Sequence, residues 1–160
     1  MLAISAQVQQ TVRDRWLAAT IETYPGPIGD FLVRERDPFR NPIGHSLRAG
    51  LPVLLEELFG CMNTAIFTPA LSDIVRIRAV QDFTPSQAVG FLFLLKGILR
   101  REITGPPDQL RELEDRIDEL VRVGFDLFME YREKIYALKA GEARRRTDVL
   151  ERIHLGTPER

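Results

Sequence analysis

The stretch TPSQAVGFLFLLKGILRREI, Thr84 to Ile103, decides the fold class. Thr84 ahead of Pro85 places a capping hydroxyl before a first-turn proline, and Gln87 three residues on completes a Thr-x-x-Gln capping box. Behind that start come Val89, Phe91, Leu92, Phe93, Leu94, Leu95, Ile98 and Leu99, apolar nearly all round a helix. The spacing therefore predicts a central apolar helix over about 85–103. Gly90 and Gly97 lie seven apart on one side of it, where a neighbouring backbone or a bound ligand can come close. Its longest apolar run, Ala88 to Leu95, stops at Lys96 and is far short of the ~20 residues that a membrane span needs.

The flanks repeat the helical pattern, and no long stretch alternates with period two. A first helix is predicted from about Ser5 to Thr23, with Val8, Val12, Trp16, Ala19 and Tyr24 near one stripe, stopped by Pro25-Gly26-Pro27. A short helix follows from Pro27, with Ile28, Phe31 and Leu32 facing inward, and ends before Asp37-Pro38. In DPFRNPIGHSLRAGL, Asp37 to Leu51, Asn41 is the expected cap and Pro42 the first helical residue. That stretch reads as a corner between helices, and the corner accounts for every proline and glycine in it except Gly50. Leu47, Leu51, Leu54, Leu55 and Leu58 form a buried face that Pro52 interrupts, either by a restart or by a kink. Thr68-Pro69 repeats the capped start of Thr84-Pro85.

After Gly105-Pro106-Pro107 a long C-terminal helix is expected over about 107–139, with Leu110, Leu113, Ile117, Leu120, Leu127 and Tyr131 in heptads. Such a seam suits either a dimer interface or packing against its own domain. The prediction is an all-α, single-domain helical bundle over 1–140 with a polar tail over 141–160, loose or carrying a short helix near Val149 to Ile153.

Composition fits this reading. The chain has 160 residues, 44% apolar and 28% charged, with a formal net charge of -1. From Asp108 onward there are 11 basic and 13 acidic side chains, so neither half is a charged tail. No general attraction to nucleic acid or to acidic membranes follows. Arg144 to Arg146, flanked by Glu142 and Asp148, read as a solvated helix end. A lone Cys61 and the lack of a leader-like start point to a cytoplasmic protein without an internal disulfide.

Chemistry is sparse. His45, His154 and Cys61 are isolated, so no metal site and no cofactor is expected. No phosphate loop, nucleophile elbow or zinc-protease helix is present, and no enzyme is predicted. His45 is either a helix-start residue facing water or a group at the rim of an internal pocket. In DIVRIRAVQD, Asp73 to Asp82, helical spacing puts Arg78 beside Leu71, Ile74 and Val75, and predicts a partly buried Arg78–Asp82 pair if the helix lasts that far. Arg78 then either pins two helices or, with Gln81, holds an acidic ligand at the mouth of the central helix. The candidate ligand residues are His45, Arg78, Gln81, Asp82, Gly90 and Gly97.

Trp16…Glu22-Thr23-Tyr24-Pro25, Asp37-Pro38-Phe39…Asn41-Pro42-Ile43-Gly44 and the run Arg76 to Val89, RIRAVQDFTPSQAV, together resemble the RsbRD N-terminal domain family of co-antagonists in bacterial stress signalling. The resemblance implies an all-helical sensory or regulatory module, globin-like and dimeric, without haem and with no catalytic residues to carry over. It also implies that the last helix passes signal to an output domain, commonly a STAS domain. The chain ends at Arg160, so that output is expected to be absent or to come from a partner protein. Two functions are carried forward: a regulatory module acting through homodimerisation and protein partners, and a small-ligand carrier with a pocket beside the central helix.

Overall fold

The computed structural model describes residues 4–155, which form six helices and no strand. They are α1 (Ala6–Ile21), α2 (Gly26–Arg34), α3 (Pro42–Phe59), α4 (Thr64–Val80), α5 (Pro85–Glu102) and α6 (Pro107–Leu155). The all-α bundle read from the sequence is what the chain adopts.

Local chemistry sets most helix starts. Ser5 caps α1, and Asn41 caps α3 by accepting from Gly44 N at 2.8 Å. The buried Asn41 amide also donates to the Glu35 and Leu32 carbonyls, which fastens the end of α2 to the start of α3. At α5 the capping box is complete: Gln87 N donates to Thr84 Oγ1, and Thr84 N donates to Gln87 Oε1. Thr68 does not start a helix. Asn63 caps α4 by accepting from Ala65 N, and Pro69 lies inside the helix, as Pro52 lies inside α3 without ending it. Each proline forfeits one helical hydrogen bond, which the packing on either side outweighs.

The core is continuous. α5 buries Ala88, Val89, Phe91, Leu92, Leu95, Ile98 and Leu99, and packs on α1, α4 and α6. α3 packs on α4, and Gly50 marks their crossing: a Cβ there would sit 3.2 Å from the Ala70 carbonyl oxygen and 2.9 Å from the Ile74 side chain. This close approach explains the one glycine that the corner leaves over. Trp16 of α1 is fully buried, donates to the Phe91 carbonyl at 2.7 Å and stacks on the Phe91 ring at 6.1 Å.

Three expectations change. α5 is not wrapped on all sides, because Phe93, Leu94 and Gly97 face solvent. On α2 only Leu32 is buried, whereas Ile28 and Phe31 are 42% and 46% exposed. α6 runs 49 residues, to Leu155, so the part of the tail that is described is helix; residues 156–160 lie outside the described residues. Burial periodicity fades near Ala140, but Ala, Glu, Arg and Leu keep the backbone helical without a core to face.

The heptad seam turns inward. Leu113, Ile117 and Leu120 are fully buried within their own chain, where α6 packs on α5, α4 and α3, with Leu110, Leu127 and Tyr131 half-buried beside them. Side chains already enclosed by their own domain have no surface to offer a second copy, so these three do not form a dimer interface. Among the described residues no helix is long and apolar enough to cross a membrane.

Candidate functional site

The most unusual side chain in the core is Arg78, on the last turn of α4, and its environment explains how it can be there. Its guanidinium is enclosed, with no accessible surface, by three aromatic rings: Tyr24 at 5.1 Å, Phe83 at 4.9 Å and Phe91 at 4.8 Å. Nη1 donates to the Gln87 carbonyl and Nη2 to Thr23 Oγ1, each at 3.1 Å. The Thr23 hydroxyl in turn donates to the Thr20 carbonyl. Ring faces and oriented acceptors attract a cation, which offsets part of the cost of removing it from water.

Among the described residues no carboxylate pairs with Arg78. α4 ends at Val80, and Asp82 has left the helix with φ at 58°, so the spacing that would bring it to Arg78 is lost. Asp82 instead is 88% exposed and lies 3.6 Å from Arg132 of α6, whose Nη1 also donates to the Ala79 carbonyl. The expected Arg78–Asp82 pair is thus replaced by an Arg132–Asp82 pair at the surface. Arg78 Nε is buried without a partner, as is Gln81 Oε1. Burial lowers the affinity of Arg78 for its proton below that of a free arginine, with the Tyr24 phenol opposing the change. Burial likewise raises the Tyr24 phenol above its usual range, against the pull of Arg78. An arginine keeps its charge through any such shift at neutral pH.

Directly outside this cage lies a cleft of about 570 Å³. Tyr24, Pro25, Ile28, Phe83 and Leu94 supply its apolar walls, and Thr23, Gln81, Asp82 and Gln87 its polar groups. Gly90 lines it too, and a Cβ built there meets nothing within 4 Å. Gly90 therefore leaves space in the cleft and admits no neighbouring helix.

The structure brings Arg78, Gln81, Asp82 and Gly90 together, with Arg78 behind the wall and the other three on it. It leaves His45 and Gly97 apart. His45 is exposed beside Asp73 and Ser46 over the α3–α4 crossing, and Gly97 faces open solvent. Sequence reasoning missed Thr23, Tyr24, Pro25, Ile28, Phe83, Gln87 and Leu94 as cleft residues. For all of them but Ile28 and Leu94 a signal was present in the Thr23-Tyr24-Pro25 and Phe83-to-Gln87 stretches of the resemblance, which meet here although they lie far apart in the chain. Among the described residues no three His, Cys, Asp or Glu side chains converge.

A family model described as the RsbT co-antagonist protein rsbRD N-terminal domain matches residues 10–143. The chain belongs to the RsbRD N-terminal domain family. No curated protein and no solved structure matches it. RsbRD N-terminal domains are sensory signalling domains of stressosome-type systems. In this RsbRD N-terminal domain the matched span takes in α2 to α5, three quarters of α1, and the part of α6 that packs into the core. It stops twelve residues before α6 does, at 143 against 155.

Proposed function

We propose that this chain is a non-enzymatic, cytoplasmic regulatory module that forms a homodimer along the outer side of α6 and passes its signal to a protein partner through that helix. The observation that carries this reading is a second seam on α6, distinct from the buried one. Met129, Tyr136, Ala143 and Leu150 recur every seven residues and are all exposed, Tyr136 by 57% and Leu150 by 61%. Glu133, Ala140 and Thr147 fall between them at the alternate positions of a heptad. A rod of 49 residues is about 73 Å long at 1.5 Å per residue, and it outruns the core that its first half completes. Single exposed apolar side chains are ordinary, but a regular line of them on a helix suits a helical partner.

Sedimentation equilibrium tests the proposal. The unmodified chain is expected to sediment as a dimer, and Tyr136→Glu with Leu150→Glu as a monomer with unchanged helical content, since neither side chain reaches the core. A monomeric unmodified chain, or a dimeric double variant, contradicts it. A second reading, a small-ligand carrier, is supported by the cleft beside α5 and is compatible with the first, because a sensory module needs an input site.

A further inference from the structure

The cleft next to Arg78 has the size of a small-molecule site, within the ~300–1,000 Å³ over which such sites range. Its walls are mainly apolar, so its ligand must have an apolar body. Behind the wall sits a full positive charge with which no carboxylate pairs among the described residues; Asp82, the carboxylate on the cleft wall, is paired with Arg132 instead. Four residues of the cleft, Thr23, Tyr24, Phe83 and Gln87, are the same ones that hold the guanidinium, which places the charge one side chain away from the space. In surroundings this dry a charge acts over several ångströms with little screening. Gln81 adds a polar group on the same wall, with its oxygen buried and unpartnered and no hydrogen bond committing its amide.

We propose that this cleft binds a small monocarboxylate with an apolar body, its charged end at the wall of Tyr24 and Gln81 and its body over Gly90, Leu94 and Ile28. The single buried cation matches one negative charge. A phosphate, with two charges and three oxygens to satisfy, would need more donors than this wall presents. The open space over Gly90 fits the body, and the uncompensated guanidinium fits the acid. This inference rests on reading the cleft as a ligand site and not on dimerisation along α6, so either can fail while the other stands.

Because Arg78 also ties the ends of three helices together, the charge is tested on the ligand instead of on the protein. Isothermal titration calorimetry of the full chain with naphthalene-2-carboxylate and with naphthalene-2-carboxamide compares two probes of the same shape. The acid is expected to bind at least about tenfold more tightly than the amide. Gly90→Phe is expected to weaken acid binding at least about tenfold while the thermal midpoint stays within a few degrees, since the new side chain enters open space. Should that variant fail to fold, Gly90→Leu makes the same comparison. Equal affinity for acid and amide would overturn the role of Arg78. Unchanged binding in the Gly90 variant would overturn the location, and no binding of either probe would overturn the proposal.

Discussion

A chain carrying Leu120→Glu is expected not to fold at any protein concentration. Leu120 has no accessible surface, and its helix packs on α5, α4 and α3. The substitution removes the apolar contacts of a leucine, about 2–5 kcal/mol, and places a carboxylate where water cannot reach it, which costs a further several kcal/mol. Total stabilities of domains are about 5–15 kcal/mol, so the sum consumes most or all of the folding free energy. Leu113→Glu is expected to behave the same way. Leu150→Glu, thirty residues further along the same helix and 61% exposed, is expected to fold with full helical content. Far-ultraviolet circular dichroism of the three variants separates the buried seam from the outer one. A folded, monomeric Leu120→Glu would mean that the seam belongs between chains after all.

The second large effect is expected at Trp16, the only tryptophan in the chain. It is fully buried, stacks on Phe91 and donates to the Phe91 carbonyl, so it joins α1 to the middle of α5 both by packing and by direction. Trp16→Ala leaves a large cavity and is expected to cost about 3–5 kcal/mol. For a chain of this length, that lowers the thermal midpoint by about 6–20 °C. Trp16→Phe keeps much of the ring contact and loses the hydrogen bond, and is expected to cost about 1–3 kcal/mol. Thermal melts followed by circular dichroism rank the two. If the alanine variant melted with the unmodified chain, the contact between α1 and α5 would not be part of the core.

What was legible in the sequence follows the range of the interactions that set it. The capping box at Thr84, the Asn41 cap and the apolar run of α5 involve neighbours in the chain, and spacing alone reveals them. The direction of the α6 seam is different, because Leu113, Ile117 and Leu120 read equally well as facing a second copy or facing α4 and α5. Only the tertiary arrangement chooses between these. Thr68-Pro69 has the local pattern of a helix start, yet the helix begins at an asparagine cap more than one turn upstream. Apolar periodicity ends α6 near 139 because periodicity reports burial, while helicity beyond the core, out to Leu155, rests on intrinsic preference.

At the candidate site, Arg78 could be singled out as a charge on an apolar stripe, but its partners could not. They come from the end of α1, from the turn after α4 and from α5, and the α4 terminus at Val80 is what redirects Asp82 away. Gly90 was visible as missing bulk on α5. That the space it leaves is open, and not filled by a neighbouring helix, depends on where α2 lies, which no local pattern records.

In the proposed function α6 is one helix with two jobs: an inner face that completes the core and an outer, protruding part that meets a second copy. Amide hydrogen exchange along α6, measured over a range of protein concentration, tests it most directly. The amides of residues 110–131 are expected to exchange slowly at every concentration, and those of residues 142–155 to slow only as the chain dimerises. Slow exchange of 142–155 in dilute monomer, or protection of 110–131 that depends on concentration, would contradict it.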